Sequence, residues 1–210
     1  NSYKSEIYIL EVIPKPSVNN FSVKLNYPKY TNRKTENLQN IGNLQVPQGT
    51  KIKWSIAAKE AEIVYIRFEE SIECMRVGNY DFEYQRIFLK NTSYSLVAQN
   101  NFLLGDSILY EINVIPDEYP SIEVKETLDS INTMWHYFEG YAEDDYGIKE
   151  LLFKYRFLDD TSKWVSDLVQ LTNKSNKQGF SYVVDFQDLG LKYGVGLEYF
   201  FEVWDLSLIH

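Results

Sequence analysis

The chain has 210 residues and a formal net charge of −9, with 30 acidic and 21 basic side chains. Binding to phosphate backbones needs clustered Lys and Arg, so these scattered basic residues argue against a nucleic acid partner. No apolar run is long enough to span a bilayer, so membrane attachment is expected only through segments outside this sequence. Aromatic residues make up 16% of the chain, which is typical of folded sheet rather than of disorder.

One short apolar motif occurs three times. Residues 8–14 (YILEVIP) and 110–116 (YEINVIP) are close copies, and residues 199–205 (YFFEVWD) form a looser third copy. Each copy has the composition of a late, half-buried strand, and the copies lie roughly 100 residues apart, the size of one Ig-like β-sandwich. The repeat predicts an all-β chain of tandem Ig-like β-sandwich modules.

This repeat also predicts the domain boundaries. Residues 1–14 are expected to be the last strand of a preceding module, residues 15–116 one Ig-like β-sandwich, and residues 117–210 a second, C-terminally incomplete one. Residues 27–42 are polar and predict a long connection. Residues 57–72 also fit a helical stripe, but the β-branched and aromatic run at 63–68 favours a strand. The predicted strands lie at 4–14, 21–25, 44–46, 51–56, 62–69, 82–89, 93–99, 107–116, 122–124, 135–142, 148–157, 163–170, 180–186 and 197–204.

Five segments, taken in this order, carry a resemblance to a known family. They are residues 27–31 (YPKYT), 42–50 (GNLQVPQGT), 115–122 (IPDEYPSI), 144–148 (DDYGI) and 199–205 (YFFEVWD). Together they resemble a family of large uncharacterised envelope proteins of Bacteroidota, which carry N-terminal transmembrane helices, periplasmic Ig-like domains and a long helical C-terminal region. The resemblance implies a location in the periplasm or cell envelope, and it implies no activity. Residues 206–210 depart from the family, where a polar turn and another strand are expected.

Two functions remain open at this point. The first is a non-catalytic structural and interaction module whose partners are other domains of the same protein or other envelope proteins. The alternative is a carbohydrate-binding β-sandwich, an accessory to an enzyme or a glycan-uptake system, that uses exposed aromatic rings. Trp54, Trp135 and Trp164 all fall inside predicted strands, which favours the first function.

The sequence predicts no enzyme. His136 and His210 are the two histidines, and His136 stands between aromatic residues in a predicted strand, the setting of a packed side chain. Acidic pairs occur at 69–70, 144–145 and 159–160, but a glycosidase needs two carboxylates that converge across a cleft. The single Cys74 excludes an internal disulfide and is expected to be a small, partly buried residue rather than a reactive thiol.

The acidic turn is the one candidate metal site. Glu143, Asp144 and Asp145 are candidate Ca²⁺ ligands, with Asp117 or Glu118 as further oxygen donors. The competing interpretation is a plain turn in which an Asp accepts backbone hydrogen bonds. The D-x-D-x-D spacing of a calcium loop is absent, so no cofactor is expected.

The ends of the chain predict self-association. An apolar strand at 4–14 without its own sheet is a template for pairing, and so is an edge beside residues 199–204 if 197–204 is the penultimate strand of its module. The N-terminal strand is expected either to pair with the first module or to be lent to another copy.

Overall fold

The structure is a computed structural model that describes residues 2–158, 163–172, 175–192 and 194–207. The chain forms two compact units, the first ending at Pro116 and the second beginning at Asp117. The fold is all-β, as the sequence predicts. No helix among the described residues is both long and apolar enough to cross a membrane.

The first unit is a sandwich of two five-stranded sheets. Its strands are β1 (Ser17–Asn26), β2 (Glu36–Gln39), β3 (Leu44–Pro47), β4 (Thr50–Lys59), β5 (Ile63–Arg67), β6 (Ser71–Glu73), β7 (Met75–Arg76), β8 (Asp81–Phe88), β9 (Thr92–Gln99) and β10 (Leu109–Ile115). One sheet has the order β2-β1-β4-β8-β7 and the other has the order β3-β10-β9-β5-β6.

The strand order of this unit is that of an Ig-like sandwich. Strands β1, β4, β8 and β7 correspond to the A, B, E and D strands, and β5, β9 and β10 correspond to C, F and G. All the strand pairs are antiparallel except β3 with β10, which is parallel. The chain therefore crosses from one sheet to the other between β2 and β3, and β3 pairs in parallel with β10, the last strand of the unit.

Trp54 lies in the middle of the first core and is fully buried. It projects from β4, where Ile52, Trp54 and Ile56 alternate with more exposed residues as a period-2 pattern requires. Its indole packs edge-on against the ring of Tyr94 on β9, with 5.2 Å between ring centroids. The Tyr94 hydroxyl donates a 2.9 Å hydrogen bond to the carbonyl oxygen of Gly42. This contact ties the segment before β3 to β9.

The second unit has two three-stranded sheets. Its strands are β11 (Ser121–Leu128), β12 (Trp135–Glu143), β13 (Ile148–Phe157), β14 (Val165–Val169), β15 (Lys177–Asp185) and β16 (Leu197–Asp205). The sheet orders are β11-β12-β15 and β14-β13-β16, all antiparallel. Phenylalanine rings in edge-on and tilted contacts fill the core, with the Phe138 and Phe201 ring centroids 5.1 Å apart and those of Phe153 and Phe201 5.2 Å apart.

Several sequence predictions need correction. Among the described residues, 2–16 form no strand and pair with none, so the strand predicted at 4–14 is not observed. The connection at 27–42 holds a short 3₁₀ turn, Lys29–Thr31, and strand β2, which pairs with β1. The helical alternative at 57–72 is wrong, since Tyr65 and Ile66 pair with strands on both sides. Residues 159–160 and His210 lie outside the described residues.

Candidate functional site

The acidic turn between β12 and β13 separates the three predicted metal ligands. Asp144 points into the second unit and is 5% exposed, whereas Glu143 and Asp145 are exposed. Glu143 forms an ion pair with Lys177, with 3.5 Å between Oε2 and Nζ. Glu143 is the last residue of β12, whereas Asp144 and Asp145 belong to the turn that follows, in which only Asp144 folds back onto the backbone. No described group of three or more His, Cys, Asp or Glu side chains has the arrangement of a metal site.

Asp144 stabilises the turn by accepting backbone hydrogen bonds. Its Oδ2 accepts from the amide nitrogens of Tyr146 at 2.8 Å and Gly147 at 2.6 Å. Gly147 has a φ of +107°, a backbone conformation that would be strained for any residue with a side chain. This is the plain aspartate turn that the sequence offers as the competing interpretation. These two hydrogen bonds account for Oδ2 of Asp144.

Two further acidic residues, Asp117 and Asp205, lie near Asp144. The sequence suggested Asp117 as an additional oxygen donor and did not point to Asp205. Asp117 precedes β11 and Asp205 ends β16, and both are buried. Burial raises the pKa of Asp144, the two turn amides lower it, and the charges of Asp205 and Asp117 raise it further. Oδ1 of Asp144 is buried and forms no hydrogen bond within the described chain. Each acid stands just outside or at the end of a strand, which is the one sequence signal that they share.

His136 belongs to a polar contact that joins the two sheets of the second unit. Its Nδ1 lies 2.5 Å from Oε1 of Glu126 on β11, and the hydroxyl of Tyr199 on β16 donates to the same oxygen at 2.7 Å. The imidazole packs edge-on against Phe186, with 4.5 Å between centroids. Burial raises the pKa of Glu126, but hydrogen bonds from His136 and Tyr199 outweigh it and the pKa falls below its ordinary value. His136 is therefore a packed, hydrogen-bonded residue that holds three strands together.

Cys74 is buried in the first core. Burial raises the pKa of its thiol to about 12, so the thiolate is scarce at neutral pH. This agrees with the expectation of an unreactive packing residue.

Three of the exposed aromatic rings, those of Trp164, Phe200 and Trp204, lie on the outer face of the sheet β14-β13-β16. Phe200 and Trp204 share that face of β16, and Trp204 is 47% exposed. Trp164 is 38% exposed and lies immediately before β14, so its predicted place inside a strand is wrong. Its ring meets Phe200 at 75° with 4.7 Å between centroids, and the Arg156 guanidinium lies 4.6 Å from its centroid. The two rings are thus not coplanar.

Comparisons with known proteins add little to this geometry. No family model matches the chain. No curated protein matches it either. Among solved structures, the chain is similar to one titled as a crystal structure of a chicken T-cell receptor, at 8% identity and a TM-score of 0.26, covering 70% of this chain and 88% of that one. The Ig-like assignment therefore rests on the strand order described above.

Proposed function

We propose that this chain is a non-catalytic Ig-like scaffold within a larger envelope protein, located outside the cytoplasm. Its partners are other domains of that protein or other envelope proteins. The observation that carries the proposal is the Ig-like strand order of the first unit, an architecture typical of interaction modules. Fold alone does not specify function, so the side chains must agree with it.

The side chains with catalytic potential support a non-catalytic role. His136 is packed between strands, Cys74 is a buried thiol with a raised pKa, and Asp144 accepts two turn amides. A general base or nucleophile must instead face a cavity that admits substrate. Purified chain is expected to hydrolyse no chromogenic ester, peptide, glycoside or phosphate. Turnover that persists through repeated purification and is lost on His136→Ala would contradict the proposal.

The envelope location is testable by cysteine labelling. The full-length protein with Lys34→Cys, an exposed position, would be produced in a Bacteroidota host and treated with a membrane-impermeant maleimide after outer-membrane permeabilisation. Labelling before lysis is expected. The unsubstituted protein is the matched control, since buried Cys74 should remain unlabelled. Labelling that requires rupture of the inner membrane would place these modules in the cytoplasm instead.

A carbohydrate-binding role is the second candidate, favoured by the exposure of Trp164 and Trp204. Sugar rings stack on exposed aromatic faces, and a binding platform needs rings in similar planes. The perpendicular Trp164 and Phe200 rings argue against a flat platform. Native gels that contain polysaccharides are expected to leave the chain's mobility unchanged. Retardation that Trp204→Ala abolishes would favour the carbohydrate role.

A further inference from the structure

Strand β8 of the first unit is only partly paired along one of its two edges. β4 pairs with β8 over its whole length, from Asp81 to Phe88. On the other side, the short strand β7 pairs only with Phe82 and Glu83. Within the described first unit, residues 84–88 therefore have no partner strand on that side.

The hydrogen bonds of neighbouring residues show which backbone groups face this open edge. The carbonyl oxygen of Asp81 accepts a 2.9 Å hydrogen bond from the amide of Val77, on the β7 side. Backbone groups of successive residues in an antiparallel strand alternate in direction. Gln85 and Ile87 lie an even number of residues after Asp81, so they direct their N–H and C=O groups to the open edge. These groups can hydrogen-bond one more strand.

A cavity of about 480 Å³ lies beside this edge. Phe68, Ile72 and Phe88 supply its apolar lining. The exposed side chain of Arg86 lies over this lining, with its guanidinium carbon 5.1 Å from the ring centroid of Phe68 and 5.8 Å from that of Phe88. No carboxylate in the described part of the chain forms an ion pair with Arg86. The cavity therefore combines apolar surface with a cation that has no acidic partner within the unit.

The side chains of β8 determine what an added strand must carry. Arg86 pairs in register with Ile52, a fully buried residue, so its side chain is on the core-facing side of the sheet. On an added strand, the residue opposite Arg86 faces the same side, and the residues two positions away lie opposite Tyr84 and Phe88. A charge turned towards the core at a sheet edge blocks pairing with apolar strands. It admits a strand whose opposing side chain is acidic and whose next core-facing side chains are apolar.

A second copy of this chain fits the edge less well. Two β8 edges paired antiparallel about Arg86 would place two guanidinium groups opposite each other, and like charges in that position are destabilising. Glu69 and Glu70 also line the cavity, but they lie in the turn between β5 and β6, and neither forms an ion pair with Arg86. The charge of Arg86 is therefore available to an acidic residue of a partner.

We propose that the open edge of β8 binds an extended segment of a partner protein, in which an acidic residue is flanked two positions away on each side by an apolar one. The segment adds as a strand beside Gln85 and Ile87 and continues the antiparallel pairing that β7 begins. Its acidic side chain pairs with Arg86, and its apolar side chains enter the cavity. This inference concerns a surface of the first unit and is independent of the envelope location proposed above.

A designed peptide with this pattern tests the proposal on the full chain. The probe is the acetylated and amidated peptide Gly-Ser-Val-Thr-Glu-Thr-Val-Ser-Gly at millimolar concentration, and the readout is amide hydrogen exchange followed by NMR. The amides of Gln85 and Ile87 should exchange more slowly, whereas that of Arg86, which faces β4, should not change. Replacing the peptide's Glu by Lys should weaken binding at least about fivefold, because an opposite-charge pair becomes a like-charge pair. Arg86→Gln, at an exposed position, should bring the two peptides within about twofold of each other.

Backbone methylation of the peptide separates strand addition from simple ion binding. N-methylation of its two threonines blocks the amides that face β8 and should abolish the protection. N-methylation of its glutamate, whose amide faces away from β8, is the matched control and should leave binding within about twofold. Equal effects of the two methylations, equal binding of the Glu and Lys peptides, or unprotected Gln85 and Ile87 would each overturn the proposal. Protection that appears without peptide as the chain concentration rises would identify a second copy as the occupant and would also overturn it.

Discussion

The hydroxyl of Tyr94 offers the sharpest test of the first core. Tyr94→Phe removes one hydrogen bond and leaves the carbonyl of Gly42, itself a buried residue, without its 2.9 Å donor. Losing the bond costs about 1 kcal/mol, and a buried acceptor left unsatisfied raises the loss to about 1–3 kcal/mol. The variant should therefore be less stable by that amount at neutral pH.

The same substitution should matter less at high pH. Burial raises the pKa of Tyr94 to about 12 from the ordinary value of 10.0. A raised pKa in the folded state contributes stability that is complete below the unfolded pKa and is lost as pH rises through the folded pKa. Between the unfolded-state and folded-state pKa values, the ionisation of Tyr94 lowers the free energy of unfolding of the wild type by up to about 1.4 kcal/mol per pH unit. The Phe variant has no such group and shows no such loss. The stability difference should narrow from pH 10 upward.

Urea denaturation followed by Trp54 fluorescence would measure both effects. Trp135, Trp164 and Trp204 all lie in the second unit and would be replaced by Phe, which leaves Trp54 as the reporter of the first. Other tyrosines ionise equally in wild type and variant, so the difference isolates Tyr94. A variant as stable as wild type at pH 7, or a difference that stays constant to pH 12, would refute the reasoning.

Four further experiments, three at single positions and one with added Ca²⁺, have expected outcomes in thermal unfolding. Gly42→Ala places a Cβ 2.2 Å from the Tyr110 ring and should destabilise by about 1–3 kcal/mol, and a Tyr110→Leu background that fails to recover stability would contradict the clash. Asp144→Asn keeps a hydrogen-bond acceptor for the turn and removes a charge that burial disfavours. Its free energy of unfolding should therefore equal or exceed that of wild type at pH 7, and this advantage should disappear in acid. Asp144→Ala should lose about 1–2 kcal/mol of stability both at pH 7 and in acid. The pKa of Glu126 is lowered in the folded state, so its contribution to stability is present at neutral pH and lost in acid. Glu126→Gln should therefore weaken the fall in melting temperature on the acid side of the pH range. An unchanged dependence on pH would show that the contact to His136 is unimportant. Millimolar Ca²⁺ should leave the melting temperature unchanged, and a rise that Asp144→Asn abolishes would favour the calcium site.

Period-2 alternation was enough to place the long strands from the sequence. The predicted 148–157 coincides with β13, and the pattern around Trp54 predicted the centre of β4. Each of these strands buries one face, so apolar and polar residues alternate along its sequence and the strand can be recognised from that pattern. The fold class, all-β with Ig-like modules, was predicted for the same reason and is confirmed.

The short edge strands were not predicted from the sequence because they show little alternation of apolar and polar residues. β2, β6 and β7 have four, three and two residues, and mostly exposed side chains. Their hydrogen bonds are made to strands distant in sequence, so only the assembled sheet defines them. The N-terminal copy of the motif shows the converse, since its residues favour a strand but no strand in the part of the chain that the structure describes pairs with it.

The candidate site divides in the same way. The sequence alone indicated the acidic turn, and the aspartate acceptor with its glycine follows from local turn chemistry. Tertiary structure alone decided that Glu143 and Asp145 face solvent while Asp144 lies near Asp117 and Asp205. Which carboxylates share a buried environment depends on where separate strands end in space, and those positions are set by core packing rather than by neighbouring residues.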